Sequence, residues 1–352
     1  METPRGKLRK LHMENVQNLS TPIRIPPSPM LKTLGYGTGV NVYRLDRSPR
    51  LGLPRSPWAI KRITKRSLAN KDSSFNDRII HEAVILRKLS HPNIVGFRGE
   101  IQTSDGVNSL ALEMCKTSLG SILEERFDEE LGPLGANHIF RMMMDIAKAL
   151  DYLHTEAKLL HGDIKSFNVL VKGEFEVCKL CDFGVSLPLD EKNEVKCSDD
   201  SGYRYVGTSL WCAPEVIDQM DTIDSKADIF SFGLVIYETL ALVPPHTLND
   251  IIDGDEGGHE SVVCLGDDSS VVVNSSLETD DDKETDPMLS SLESAYGTRP
   301  PLPEAFELSD AYNTIVEIFY LCTNGLSEDR PTARTILECL LNNPPNSGEA
   351  NV

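Results

Sequence analysis

Two amphipathic stretches and a set of short apolar runs order the chain. From Phe75 to Leu89 apolar residues recur at helical spacing, with Ile79, Ala83 and Leu86 on one stripe. Glu82 falls on the same stripe, where a carboxylate is costly unless a cation meets it. The second stretch, His138 to His154, places Ile139, Met142, Met143, Ile146, Ala149, Leu150 and Leu153 on one broad face, and its methionines read as core fillers. Runs with strand character lie at Tyr43-Arg44-Leu45, Trp58 to Ile63, Ser109 to Met114, Val169 to Val171 and Cys178 to Cys181. A Pro-rich turn is expected after the first of these, and a Lys172-Gly173-Glu174 turn between the last two. His91-Pro92-Asn93 ends the first helix, and Ser118-Leu119 begins another.

Two regions lack such periodicity. Residues 1–29 are polar and punctuated by proline, which predicts a disordered arm carrying Thr3-Pro4, Thr21-Pro22-Ile23-Arg24 and Ser28-Pro29. Residues 249–296 scatter Asp and Glu among Gly and Ser and read as a disordered acidic insert. The insert accounts for much of a net charge of -19, and pI near 4.8 argues against nucleic-acid binding. Apolar residues still make up 40% of the chain, enough for a large core, and no run is long enough to cross a bilayer. Eight cysteines without a secretory leader point to free thiols in a reducing compartment, cytoplasmic or nuclear. Cys178 and Cys181 have C-x-x-C spacing, but residues three apart on a strand face opposite ways, and no second pair exists to complete a zinc site.

Candidate chemistry falls in the gaps between these elements. Leu34-Gly35-Tyr36-Gly37-Thr38-Gly39-Val40-Asn41-Val42 puts glycines between strand formers, a loop whose backbone can approach phosphate closely. A dinucleotide-binding loop would need a helix directly afterwards, and strand follows instead. Lys61, in Trp58-Ala59-Ile60-Lys61, is the cation best suited to meet Glu82. His161-Gly162-Asp163-Ile164-Lys165-Ser166-Phe167-Asn168, followed by Asp182-Phe183-Gly184, groups two acids, a lysine and an amide. Phosphoryl transfer requires such a set: a carboxylate to orient a hydroxyl, a cation for the phosphate and oxygen ligands for Mg²⁺.

In this order, and with Gly207-Thr208-Ser209-Leu210-Trp211, Ala213-Pro214-Glu215, Asp228-Ile229-Phe230-Ser231-Phe232-Gly233 and Arg330-Pro331-Thr332, residues from about Leu31 to Leu341 resemble the eukaryotic protein kinase family. The resemblance implies an α+β bilobal fold. A β-rich N-lobe would occupy residues 30–113 and a helical C-lobe residues 117–342, interrupted by the insert and followed by a flexible tail over 343–352. It implies that ATP lies between Leu34, Gly35, Gly37, Val42, Ala59 and the junction at Glu113 and Met114, with Leu112 as gatekeeper. Lys61, held by Glu82, would meet the α- and β-phosphates, and Asn168 with Asp182 would bind Mg²⁺. Asp163 and Lys165 would be catalytic, Asp228 would brace the catalytic loop, and Arg330 would pair with Glu215. A closer resemblance, to a MAP-kinase-kinase-like branch, implies action on Ser/Thr, with Tyr also in reach, and a link to p38-type MAP kinases and mitosis. Thr21 would then be a target of a proline-directed, cyclin-dependent kinase.

Three departures qualify this picture. Val40 stands where the third loop glycine is usual, and Gly162 replaces the arginine of His-Arg-Asp that receives an activation-segment phosphate. Ser198, Ser201 or Tyr203 would therefore lack the usual receptor, and control is expected at Thr3, Thr21 or Ser28. The chain ends in Glu349-Ala350-Asn351-Val352, where Val352 suits a PDZ pocket but Ala350 lacks the hydroxyl such pockets take, so a PDZ partner is not expected. The alternative reading is a pseudokinase scaffold docking partners through its acidic insert; the presence of Lys61, Asp163 and Asp182 disfavours it.

Overall fold

A computed structural model describes residues 32–37, 40–50, 53–64, 74–102, 108–197, 201–248 and 293–344. Thr3, Thr21, Ser28, Gly39, Ser198, most of the acidic insert and the C-terminal tail lie outside the described residues.

The N-terminal part is a five-stranded antiparallel sheet in the order β1-β2-β3-β5-β4, formed by β1 (Lys32–Gly37), β2 (Val40–Arg50), β3 (Leu53–Ile63), β4 (Phe97–Gln102) and β5 (Asn108–Glu113). Helix α1 (Ser74–Leu86) packs on one face. Register fixes what shares that face: Val42 pairs with Lys61, Lys61 with Leu110, and Ala59 with Leu112. The opposite face carries a separate small cluster of Ile60 and Ala111 with Tyr43, Leu45 and Trp58. The Pro-rich turn expected after Leu45 is instead a long hairpin, with Arg47 opposite Arg55 and Arg50 opposite Leu53. Pro49, Pro54 and Pro57 lie in that end, which neither β1 nor β5 reaches among the described residues, so each strand there has an open edge of the kind that tolerates proline.

After Glu113 the chain turns helical. Elements β6 (Thr117–Ser118), α2 (Leu119–Asp128) and α3 (Ala136–Tyr152) follow, with the Ser118 hydroxyl capping α2 by accepting from the Ser121 N–H. The stripe expected on α3 is the buried one: Ile139, Met142, Met143, Ile146, Ala149 and Leu150 have no exposure. A π-helical turn, Leu153–Ala157, carries the chain to β7 (Leu159–Leu160). Strands β8 (Val169–Lys172) and β9 (Val177–Leu180) form a hairpin on β6, and β10 (Leu187–Pro188) pairs with β7. Strand β11 (Glu194–Lys196) pairs with β12 (Thr222–Asp224), with the short helix α4 (Pro214–Ile217) between them in sequence.

Helix α5 (Lys226–Ala241) is buried along almost its whole length and forms the axis of this part, packed by α6 (Asn313–Cys322), while α7 (Ala333–Asn342) packs on α3. One apolar core runs from Ile79 and Leu86 on α1 through Leu112, Ile164 and Phe183 to Phe232 and Phe319. A helical turn occupies Glu293 to Ala295, and Tyr296 packs on the core.

Candidate active site

The site lies where the sheet, α1 and the loops around β7 to β9 meet. Lys61 Nζ is 2.9 Å from Glu82 Oε2 and 2.8 Å from Asp182 Oδ1. The pairing inferred from an acid on a core stripe is therefore present, and Asp182 joins it. Burial alone would lower the Lys61 pKa, but the two carboxylates overcome it and hold the ammonium charged. Burial pushes Glu82 above the usual carboxylate range against the pull of Lys61, whereas the Asp182 side chain is only partly desolvated, and that cost is outweighed by the charge and hydrogen bond of Lys61 together with the nearby Lys165, which hold its pKa low. Asp182 adopts φ 65°, a left-handed turn that swings its side chain back toward Lys61.

The catalytic loop between β7 and the 3-10 turn Ser166–Asn168 is held from below. Asp228, fully buried near the start of α5, accepts from the N–H groups of His161 (2.8 Å) and Gly162 (3.0 Å) and from His154 Nε2 (2.9 Å). These donors outweigh the cost of burying it and hold its pKa low. His161 donates through Nε2 to the Cys181 carbonyl and lies against Phe183, with ring centroids 4.8 Å apart. Above it, Asn168 Nδ2 donates to the Asp163 carbonyl (2.7 Å) and to Asp163 Oδ2 (2.9 Å). Thr208 Oγ1 donates to Asp163 Oδ1 at 2.7 Å and accepts from Lys165 Nζ at 3.0 Å. Asp163, Lys165 and Thr208 thus form one closed set beside Asn168.

Gly162 has φ +80°, and a Cβ placed on it would lie 3.3 Å from the Val185 carbonyl oxygen. The missing arginine is therefore also a backbone feature: the loop takes a left-handed turn against the activation segment that favours glycine.

The nucleotide-facing positions are placed unevenly. Val42, Ala59 and Lys61 line one sheet face, and Leu34 is exposed at its rim. Strands β1 and β2 pair as far as Gly37 and Val40. The Glu113 N–H donates to the Gly96 carbonyl at 2.7 Å, and its carboxylate is bound by Lys172 (2.9 Å) and Lys179 (3.1 Å). A purine edge at this junction would have to use main-chain groups other than the Glu113 amide.

The donor set suits a hard divalent ion shared with phosphate oxygens. The Asp182 carboxylate is 41% exposed, and the Asn168 amide spends its N–H groups on Asp163, which leaves its carbonyl oxygen as a candidate ligand. Among the described residues no group of three or more His, Cys, Asp or Glu could hold a metal ion by itself. Cys178 is buried in β9 with its thiol pushed up to about 12 by burial, and burial likewise raises Cys181, so neither is poised as a thiolate ligand.

Two parts of the site were not anticipated. Glu238 on α5 accepts from the Ser166 hydroxyl, the Ser166 N–H (3.2 Å) and Trp211 Nε1 (2.8 Å), tying the catalytic loop to the loop after Thr208. An acid inside the apolar run from Phe230 to Ala241 was the signal for it. His81 donates from Nε2 to the Ser186 carbonyl at 2.9 Å; as a polar residue on the outer face of a helix it gave no signal. The expected Arg330–Glu215 pair is bidentate (2.6 and 2.8 Å) and buried.

Comparison with known proteins agrees with this geometry. The profile of the protein kinase domain matches residues 29–341. Human lymphokine-activated killer T-cell-originated protein kinase is 42% identical over 325 residues, covering 91% of this chain and 92% of that protein. The serine/threonine-protein kinase Tao of Drosophila melanogaster is 30% identical over 68% of the chain and 21% of its own length. A probable serine/threonine-protein kinase of Dictyostelium discoideum, drkC, is 34% identical over 52% of the chain and 24% of its own length. With the site and the match spanning the same residues, the chain belongs to the protein kinase family.

Proposed function

We propose that this protein is an ATP- and Mg²⁺-dependent kinase of serine and threonine hydroxyls, with Asp163 as the base and Lys165 as the phosphate-facing cation. The observation that carries the reading is the set Asp163–Thr208–Lys165, in which a threonine hydroxyl already donates to the carboxylate at 2.7 Å beside a lysine at 3.0 Å. ATP with Mg²⁺ supplies the transferable phosphoryl group when bound. Asp163 accepts the proton of the incoming hydroxyl, and Asn168 holds that carboxylate in orientation. Lys61, fixed between Glu82 and Asp182, offers its charge to the inner phosphates, while Asp182 and Asn168 offer oxygen ligands for the ion.

The likeness to the human kinase named above supports a finer assignment, which we propose with it: a MAP-kinase-kinase-like enzyme of the cytoplasm or nucleus whose protein substrates include p38-type MAP kinases, working in mitosis under a cyclin-dependent kinase acting at Thr21. An intact Lys61–Glu82–Asp182 set favours catalysis over a scaffold role. Substituting Asp163→Asn should lower phosphate transfer to a threonine peptide by at least ~10³-fold while leaving thermal unfolding within a few degrees. Undiminished transfer by the variant, or none by the wild type, would overturn the reading.

A further inference from the structure

We propose that His81 and Ser186 form a phosphate-independent latch that fastens α1 and the activation segment to the catalytic loop, making both positioning residues for phosphoryl transfer. The inference rests on the reading of Asp163 given above. Ser186 is the meeting point and is 1% exposed. Its hydroxyl donates to the His161 carbonyl at 3.0 Å, its carbonyl accepts from His81 Nε2 at 2.9 Å, and its N–H donates to Phe183 at 3.3 Å. Because a carbonyl can only accept, the His81 ring must carry its proton on Nε2.

Each partner of Ser186 leads to a different part of the site. His81 immediately precedes Glu82 on α1, so a displacement of the helix that breaks the Ser186 contact also draws Glu82 from Lys61. His161 stands two residues before Asp163, and its own N–H is anchored on Asp228. One buried serine therefore couples the Lys61–Glu82 pair to the Asp163 carboxylate through hydrogen bonds alone.

Gly162 explains why the latch can close. A side chain there would meet the Val185 carbonyl at 3.3 Å on a backbone at φ +80°. Glycine lets the catalytic loop approach Val185 closely, which brings the His161 carbonyl within reach of the Ser186 hydroxyl. The residue that removes a phosphate receptor also permits the contact that replaces it.

The test uses the full chain treated with phosphatase, with peptide turnover and hydrogen exchange over residues 183–197 as readouts. Wild-type protein should keep its turnover after treatment. His81→Ala and Ser186→Ala should each lower kcat by about 5- to 10-fold, with KM for the peptide within twofold. The double variant should lose little more than either alone, and exchange should rise in all three. His81→Gln, whose amide can donate to the same carbonyl, should recover most of kcat. Loss of wild-type turnover on dephosphorylation would overturn the latch, as would His81→Ala with unchanged kcat and exchange, or a glutamine variant as impaired as the alanine. A wild type that transfers no phosphate refutes the kinase reading separately, and exchange in the two alanine variants then decides the latch.

Discussion

Glu238 shows how much one buried side chain can decide. It is 3% exposed, and burial raises its pKa to about 7 against the opposing donors on Ser166 and Trp211. An acid whose folded pKa lies above its unfolded value near 4.5 binds more protons when folded, so stability falls as pH rises from about 4.5 to 7 and stays lower above that. The penalty is on the order of 3 kcal/mol if the whole shift is counted. Glutamine keeps the shape: its oxygen can accept from the Ser166 and Trp211 N–H groups, and its NH₂ can donate to the Ser166 hydroxyl. Glu238→Gln should therefore melt a few degrees above the wild type at pH 8.5 and match it at pH 5. Glu238→Ala should lose roughly 3 kcal/mol or more at both, because buried donors are left unmade. Differential scanning across that pH range decides it; a glutamine variant less stable at pH 8.5 than at pH 5, relative to wild type, would mean the fold needs the charge.

At the scale of elements, periodicity revealed what it physically encodes. The stripe on α1, with Glu82 among apolar residues, announced both the helix and its ion pair, because only one face of a helix meets a core. The β2–β3 hairpin escaped notice because its prolines read as a turn, and only the strand pairing shows that they sit at an end of the sheet with open edges on both sides. Contacts such as His81–Ser186 and Glu238–Trp211 span 105 and 27 residues, and no local pattern reports which polar group a distant carbonyl will face. Arg330–Glu215 was legible as a pair, but its surroundings were not. The guanidinium also donates to the carbonyls of Asn324, Gly325 and Lys226, joining α4, the start of α5 and the loop before α7. A lysine cannot reproduce that fork. Arg330→Lys should cost about 3 kcal/mol or more and lower Tm by at least ~6 °C, read by thermal and urea unfolding. A loss below 1 kcal/mol would reduce the pair to a surface-like bridge.

For the molecule as a whole, charge and catalysis are separable. Residues 249–292 hold thirteen of the 54 acidic residues and a single lysine, so removing them changes the net charge from -19 to -7. The described chain on either side ends at Leu248 and resumes at Glu293, and every group of the candidate active site lies at or before Glu238. Replacing the segment with a short Gly-Ser linker should therefore leave kcat on a neutral threonine peptide within twofold. A strongly basic peptide is a different case, because a diffuse negative field raises the encounter rate of a positive partner and salt screens it. For that substrate, kcat/KM of the full chain should fall several-fold between about 50 mM and 300 mM salt, and the shortened chain should show a much flatter dependence. Steady-state kinetics on the two peptides at both salt concentrations tests the separation. Equal salt slopes in the two proteins would remove steering from the segment's roles, and a collapse of kcat on the neutral peptide would show that the segment supports the active site itself.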